Sequence, residues 1–449
     1  MKLNNGSTSS RGDVDDEEDD YHKTRIDLEG ALNILSRIVK AYVFGDGFSS
    51  LLKNSSQSLQ NKETSLRTPI WNLASKNKSI QEFIQRERAE MADLVQQKIH
   101  TLQNPDDCTK AKKLVCTVDN DCGFGCMIHH IVYCLITGYT TNRTLILNLR
   151  TRYKGRSWKK TFLPLSSTCL DGSGATYGIW GGGGEDISAQ VLAVGTFGTM
   201  GITPGSPWAP LRPKRIPSQF KSRLRKISKD PLIWWVGQFA SYVMRLRPET
   251  EKIIEEAKEK IVYEDSNSFA TNTDVIQFGI HVRRTDKLIA EAKSYPLETY
   301  LRHVERHLKL REKLEGKPIS GHIFLASDEP KVIKEARELE KKSNKWTLWA
   351  NESNAKDAEK VYNRFERGIL GILTDVMLLV ECEFVVCTFS SNICRLVAEL
   401  KEAELNVRGE VVSIDDPYTF LSYYIDVLYS LYSYSIPLIT LISSLSNLV

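Results

Sequence analysis

Across 449 residues there is no stretch in which basic and aromatic side chains interleave, and the formal charge is only +4, so nothing in the chain answers to a nucleic-acid backbone. No apolar run able to serve as a signal peptide or membrane anchor falls within the first twenty residues. They are rich in Ser, Gly, Asn and acid, and over 13–20 nearly every side chain is a carboxylate, which predicts a disordered acidic tail over 1–23. A Walker-type phosphate loop is missing too. The glycines at 181–184, in a flexible loop predicted over 172–186, lack the Lys-Ser/Thr pair such a loop needs. A zinc site is short of ligands: Cys122 and Cys126 flank Gly-Phe-Gly with His129 and His130 nearby, but no matching second pair follows.

What the chain has is an ordinary share of apolar residues, 41%, and enough length for two or three domains with a large core. Leu28, Leu32, Leu35, Val39 and Tyr42 recur at spacings of four and three, along one seam of a helix over 24–44. A second helix over 79–103 puts Ile80, Ile84, Met91, Val95 and Ile99 on one side, and 54–68 between the two is a polar linker. Such seams imply either a coiled-coil partner or packing on their own domain. The prolines over 204–217, with Lys214 and Arg215, read as a surface linker, and Trp234 and Trp235 begin an apolar core helix running to 244. Strand patterns over 144–147, 276–282, 322–326, 346–349 and 383–387 are separated in the second half by helical patterns over 296–314, 330–341 and 364–380. That alternation predicts an α/β domain with a doubly wound parallel sheet.

One stretch concentrates chemistry. Residues 275–291, VIQFGIHVRRTDKLIAE, form an apolar run that empties into ionisable side chains, with His281, Arg283, Arg284, Asp286 and Lys287 at or just beyond the carboxyl end of a buried strand. Ligands of open α/β sheets collect at that edge. Adjacent arginines in an extended segment point to opposite faces, so one can fork onto a phosphate while the other braces a carboxylate. A solvated strand end holding an ion pair is the plainer alternative.

The run His281-Val282-Arg283-Arg284-Thr285-Asp286-Lys287, followed by Glu291 and Tyr300, resembles the donor-site motif of the α-1,6-fucosyltransferases, glycosyltransferase family 23. NPDDCTKAKKLVC at 104–116, DCGFGCMIHHIVYC at 121–134, FLASDEP at 324–330 and FVVCTFSSNICR at 384–395 are similar to further blocks of that family, so the resemblance covers roughly 80–416. It implies a GT-B-like fold with a Rossmann-type half binding GDP-fucose, preceded by a helical coiled-coil region, and a fucosyltransferase catalytic domain over 104–416. It implies inverting transfer of fucose to the 6-hydroxyl of the innermost GlcNAc of N-glycans, without a metal cofactor. Arg283 with His281 then matches the diphosphate clamp, Glu291 the general base, and Lys287 a group orienting it, although Glu291 also reads as a surface helix carboxylate. Tyr153 matches a nucleotide-contacting tyrosine, Asp375 the carboxylate that reads guanine, and Ser390 and Ser391 small hydroxyls near the nucleotide. Arg284, Asp286, Tyr300, Asp328 and Arg364 align with the site or its support. The implied disulfides are Cys108–Cys169, Cys116–Cys134, Cys122–Cys126 and Cys387–Cys394, with Cys382 free, which requires an oxidising lumen. Sequons at Asn5, Asn54, Asn77, Asn142 and Asn351 fit that compartment.

The family further implies N-glycoprotein acceptors, a homodimer through helices over 24–103, and a membrane-associated place in the Golgi lumen, for which no amino-terminal anchor is visible. Asn392 stands where the family has Gln, and Asp328-Glu329 where it has Asp-Asp. Ser413-Ile414-Asp415-Asp416 still matches. Beyond it the family's Src-homology-3 domain is expected but not found, and 417–449 is an apolar tail whose charge over 420–449 is Asp426 alone. Pro437 and many Ser and Tyr argue against a tail anchor there, leaving a divergent exon or intron read-through. The expected activity is therefore core fucosylation, the alternative an inactive or weak relative that binds glycan or dimerises.

Overall fold

A computed structural model describes residues 78–118, 123–150, 156–180, 188–194, 216–228, 230–264, 276–284, 293–343, 345–359, 368–404, 409–416 and 418. The acidic tail over 1–23, the leucine seam over 24–44, the linker over 54–68 and the apolar segment over 420–449 lie outside them.

In chain order the elements are α1 (Lys78–Gln103), β1 (Lys113–Val118), α2 (Phe124–Thr140), β2 (Thr144–Leu149), α3 (Arg156–Thr161), β3 (Tyr177–Trp180), β4 (Val191–Val194), α4 (Ser218–Ile227), α5 (Pro231–Val243) and α6 (Pro248–Glu264). The second half runs β5 (Ile276–Val282), α7 (Leu297–Glu315), β6 (Gly321–Ser327), α8 (Pro330–Glu340), β7 (Trp346–Ala350), α9 (Glu352–Glu359), α10 (Gly368–Glu381), β8 (Phe384–Cys387), α11 (Asn392–Ala403) and β9 (Glu410–Ser413). No helix among the described residues is long and apolar enough to cross a membrane.

The chain divides into two compact units, one comprising Met1–Met91 with Ser218–Lys229, the other Ala92–Pro217 with Asp230–Val449. Within the first, Arg223 of α4 donates to Glu87 of α1 through Nε (3.0 Å) and Nη2 (2.8 Å), and to Glu90 at 3.0 Å. The apolar stripe predicted for the second helix is real, for Ile84, Met91, Val95 and Ile99 are all buried within one chain. At these positions the seam is already covered, as packing on the chain's own body requires.

The second unit contains two sheets, both wholly parallel. One has four strands in the order β2-β1-β4-β3, the other five in the order β7-β6-β5-β8-β9. Parallel strands covered on both faces need apolar residues at nearly every position, and β5 and β8 satisfy this: Phe278, Ile280 and Val282, with the whole of Phe384–Cys387, are buried. One face of the five-stranded sheet carries α7, whose Leu297, Tyr300, Leu301, Val304 and Leu308 recur at helical spacing and join Phe278, Ile280, Ile323 and Leu325 in a single cluster. Gly316 ends α7 with φ 70°, a left-handed closure that glycine takes without a Cβ penalty. On the opposite face Gly279 lies against Leu379 and Cys382, so α10 covers that side.

The strands predicted from 276, 322, 346 and 383 appear within one or two residues of those bounds, and the doubly wound parallel sheet with them. The loop predicted over 172–186 is partly wrong, because Tyr177–Trp180 is a strand, paired in parallel with β4. It is an edge strand whose apolar Tyr177 and Ile179 face solvent, so no polar-out alternation in the sequence announces it. Three disulfides follow the implied pattern, Cys108–Cys169, Cys116–Cys134 and Cys387–Cys394, and Cys382 is the free, buried thiol. Cys126 is disulfide-bonded as well; Cys122 lies outside the described residues.

Candidate active site

The five-stranded sheet reverses direction once. From β5 the chain proceeds outward through β6 to β7, and then returns to place β8 on the other side of β5 and β9 beyond it. The crevice at such a reversal, at the carboxyl ends of the two central strands, is where open α/β sheets bind ligands, because the connections diverge there to opposite faces and leave a gap. Register brings His281 level with Ala326, Val282 with Ser327, and Cys387 with Ser413. The residues just past these positions therefore share one edge: Arg283 and Arg284 after β5, Asp328 after β6, Ser390 and Ser391 after β8, and Asp415 after β9.

Asp328 organises the arginines. Its Oδ1 accepts the backbone N–H of Arg284 at 2.9 Å, and its Oδ2 lies 3.2 Å from Arg283 Nε. The Arg284 side chain turns away, with Nη1 to Glu335 at 3.2 Å and Nη2 to the carbonyl of Tyr295 at 3.0 Å. The two guanidiniums thus diverge as their extended backbone predicts, but each meets a carboxylate. Arg284 is a brace, whereas Arg283 is oriented by Asp328 at the crevice. His281 is buried in β5 beneath them. Tyr300 is 2% exposed on α7, its phenol pushed well above the ordinary value by burial and then by Asp415, which makes it a wall of the site rather than a titrating group.

On the α10 side Asp375 is buried, and both its oxygens are engaged. Oδ1 accepts from Asn351 Nδ2 at 2.9 Å and Oδ2 accepts from the side chain of Asn354. Burial raises its carboxyl to about 7, and the two amide donors pull the other way without cancelling it. Each oxygen retains a second lone pair with which to take another donor. The amide of Asn351, part of a sequon, is spent on this carboxylate.

The turn between β8 and α11 is held from three sides. Cys387, the last residue of β8, is bonded to Cys394 in the first turn of α11. Ser391 is the N-cap of that helix with extended backbone and makes no side-chain cap, so its own hydroxyl does not occupy the helix amino terminus. Asp415 accepts the backbone N–H of Phe389 at 2.8 Å and of Ser390 at 3.4 Å, while Ser413 Oγ donates to it at 2.7 Å. A cation after β5, a helix amino terminus after the neighbouring strand β8 and a buried carboxylate on α10 suit an anionic ligand with a hydrogen-bonding base, as a nucleoside diphosphate is.

The structure therefore gathers His281, Arg283, Arg284, Asp328, Ser390 and Ser391 along one edge, with Tyr300 behind it and Asp375 on the neighbouring helix. Tyr153, Asp286, Lys287, Glu291 and Arg364 lie outside the described residues. Sequence reasoning assigned no role to Asn351, Asn354, Glu335 or Asp415. An Asn-x-x-Asn directly after an apolar strand was the available signal for the first two, and the Ser-x-Asp of 413–415 for the last.

The description of one family model, alpha-(1,6)-fucosyltransferase N- and catalytic domains, matches residues 38–419. The chain is similar to the alpha-(1,6)-fucosyltransferase of Drosophila melanogaster, 35% identical over 337 residues, and to that of Caenorhabditis elegans, 31% identical over 343. Both alignments take in 75% of this chain, and 51% and 57% of those proteins, so the chain spans about half the length of the curated relatives it matches. Among solved structures, NodZ alpha-1,6-fucosyltransferase co-crystallised with GDP aligns with a TM-score of 0.39 and 15% identity over 68% of this chain and 96% of that one.

Proposed function

The chain belongs to the alpha-(1,6)-fucosyltransferase family, and from that premise we propose that it transfers fucose from GDP-fucose, with inversion, to the 6-hydroxyl of the innermost GlcNAc of N-linked glycans. The observation that carries this reading is that Arg283 and the amino terminus of α11 follow the two adjacent strands, β5 and β8, at which the sheet reverses. In the proposed step, Glu291 takes the proton from the acceptor O6, that oxygen bonds to C1 of fucose, and the C1–O bond to the β-phosphate breaks, its electron pair leaving with GDP. Lys287 holds Glu291 in place. Arg283, aimed by Asp328 and seconded by His281, stabilises the charge that grows on the diphosphate, with the hydroxyls of Ser390 and Ser391 and the amino terminus of α11 beside it. Asp375, fixed by Asn351 and Asn354, accepts the paired N–H donors of guanine, and Tyr153 contacts the nucleotide. Asp286 and Arg364 support the same site.

We assign 104–416 to this catalytic domain and 24–103 to a helical region whose leucine seam over 24–44 is the dimerising part, since the stripe of α1 is taken up by its own chain, and place the protein in the Golgi lumen, where its disulfides are kept oxidised. Incubation of the purified chain with GDP-fucose and a biantennary N-glycan, followed by mass spectrometry, tests the activity. One added deoxyhexose on the innermost GlcNAc is the expected product, and GDP binding with no transfer would support a binding role only. Since Arg283 carries the charge that a divalent ion would otherwise supply, turnover is expected to survive EDTA. A loss restored by Mn²⁺ or Mg²⁺ would show that the diphosphate is held in another way.

A further inference from the structure

Two turns into α11, away from the strand ends, three side chains that no step above uses meet in the core. Glu399 is fully buried, and its Oε1 lies 2.9 Å from Nε2 of His129, itself buried on α2. Tyr418 donates its hydroxyl proton to the same oxygen over 2.7 Å. His129 Nδ1 lies 2.7 Å from the carbonyl of Gly125. A carbonyl only accepts, so Nδ1 carries a proton; the other nitrogen faces a carboxylate, and that contact closes only with a second proton between them. Burying such a pair adds little net stability over an apolar trio of the same volume, whereas leaving one member unpartnered is costly. What the arrangement supplies is direction.

Each arm leads back to the β8–α11 turn. The first turn of α2 sits on the first turn of α11, for a Cβ on Gly125 would lie 2.9 Å from the backbone carbon of Asn392 and 3.0 Å from the nitrogen of Ile393. On the other side the ring of Tyr418 meets Phe389 edge-on, with centroids 5.7 Å apart. Three residues before Tyr418, Asp415 holds the N–H groups of Phe389 and Ser390. A closed circuit results, running from Ser390 through Asp415 and Tyr418 to Glu399 and back along α11 to Ser391. We infer that His129, Glu399 and Tyr418 are positioning residues, a buried relay that fixes the β8–α11 turn in the form that receives the donor diphosphate. This rests on the assignment of that turn to the GDP-fucose site.

The test measures GDP affinity by calorimetry on the intact chain, together with kcat, KM for GDP-fucose and Tm. Tyr418→Phe keeps the ring against Phe389 and removes only the tie to Glu399. It is expected to raise the GDP Kd and the donor KM about five- to tenfold, with kcat within about twofold and Tm within about two degrees of wild type. Glu399→Gln preserves an acceptor for Tyr418 and is expected to lose less GDP affinity than Glu399→Ala; if neither folds, Tyr418→Phe still decides. A Tyr418→Phe protein that binds GDP as wild type does, whether or not its Tm falls, overturns the inference, since a merely structural tie moves Tm and leaves the donor untouched. A wild-type chain that binds no GDP brings down the donor-site reading, and the relay with it.

Discussion

In the proposed step Arg283 and Glu291 act on opposite sides of the bond that breaks, so their removal is expected to leave different traces. Arg283→Ala should abolish turnover and weaken GDP binding, because a guanidinium on a diphosphate is engaged in both the ground and transition states. Arg283→Lys should not restore it: an ammonium has no fork, and Asp328 at 3.2 Å from Nε could no longer aim it. Glu291→Gln should leave GDP affinity nearly unchanged and lower turnover roughly a hundredfold, the usual worth of a general base. Equal loss of GDP by both variants in calorimetry would move Glu291 into the donor site or the fold. Asp375 supplies a pH signature. Its carboxyl is raised from 3.8 to about 7, so the folded state disfavours the ionised form, and the stability it contributes is complete below about 4 and lost as pH rises through 7. Guanine needs the ionised form, so GDP affinity should rise between about pH 6 and 8. Asp375→Asn should remove that part of the slope, and because the nucleotide phosphate titrates in both proteins the comparison isolates the carboxyl; parallel slopes would take Asp375 out of base recognition. Arg283 and Arg284 were legible as candidates because a buried strand announces its own carboxyl end, and the resemblance then supplied the ligand. The amides of Asn351 and Asn354 were not, because what identifies them is a partner more than twenty residues away on another helix.

Strands β5 to β8 of the five-stranded sheet were the readable ones, whereas β1 and β4, buried at most positions too, were not read. β5, β6, β7 and β8 are apolar at almost every position and lie where the pattern places them. β3 and β9, four residues each and at the edges of their sheets, bury little and carry no such pattern. Cysteine chemistry sits between the two, since the pairing came from resemblance and the structure shows what each bond holds. Cys108–Cys169 closes a separation of 61 residues and Cys387–Cys394 one of 7. On chain entropy the first should stabilise by about 4 kcal/mol and the second by about 2.5. Their effects on the site should run in the reverse order. Replacing both cysteines of the long link with Ala should cost more in denaturant unfolding and leave GDP affinity within about twofold, while the same replacement of the short link should cost less and weaken GDP severalfold, since it joins the two ends of the donor turn. Equal GDP loss in both would mean that the short link acts through overall stability rather than through the turn it closes.

At the scale of the whole second unit, the helix that begins at the donor turn is also the one on which α2 and α5 rest, so packing far from the crevice reaches the chemistry. Among the described glycines the one packed tightest against that helix is Gly237 on α5. A Cβ there would lie 2.0 Å from the carbonyl oxygen of Glu399, 2.9 Å from its carbon and 3.1 Å from Cβ of Ala403, all on α11. The first two are helix backbone and cannot rotate aside. Nor can α5 back away freely, since Trp235 and Phe239 meet Tyr139 of α2 edge-on at 5.6 and 5.3 Å. Two effects of Gly237→Ala oppose each other. Alanine favours a helix interior by roughly 0.5–1 kcal/mol over glycine, whereas overpacking a close contact costs typically 1–3 kcal/mol and more where backbone must move. At 2.0 Å the second should win, lowering stability by about 2 kcal/mol. Because the displaced helix carries Glu399 and begins at the proposed donor turn, GDP affinity should fall with it, and Gly237→Ala should resemble Tyr418→Phe in its donor KM while differing in Tm. A more stable Gly237→Ala protein with unchanged GDP affinity would show that α5 and α11 are not in this contact, and that the donor turn is set by the five-stranded sheet alone.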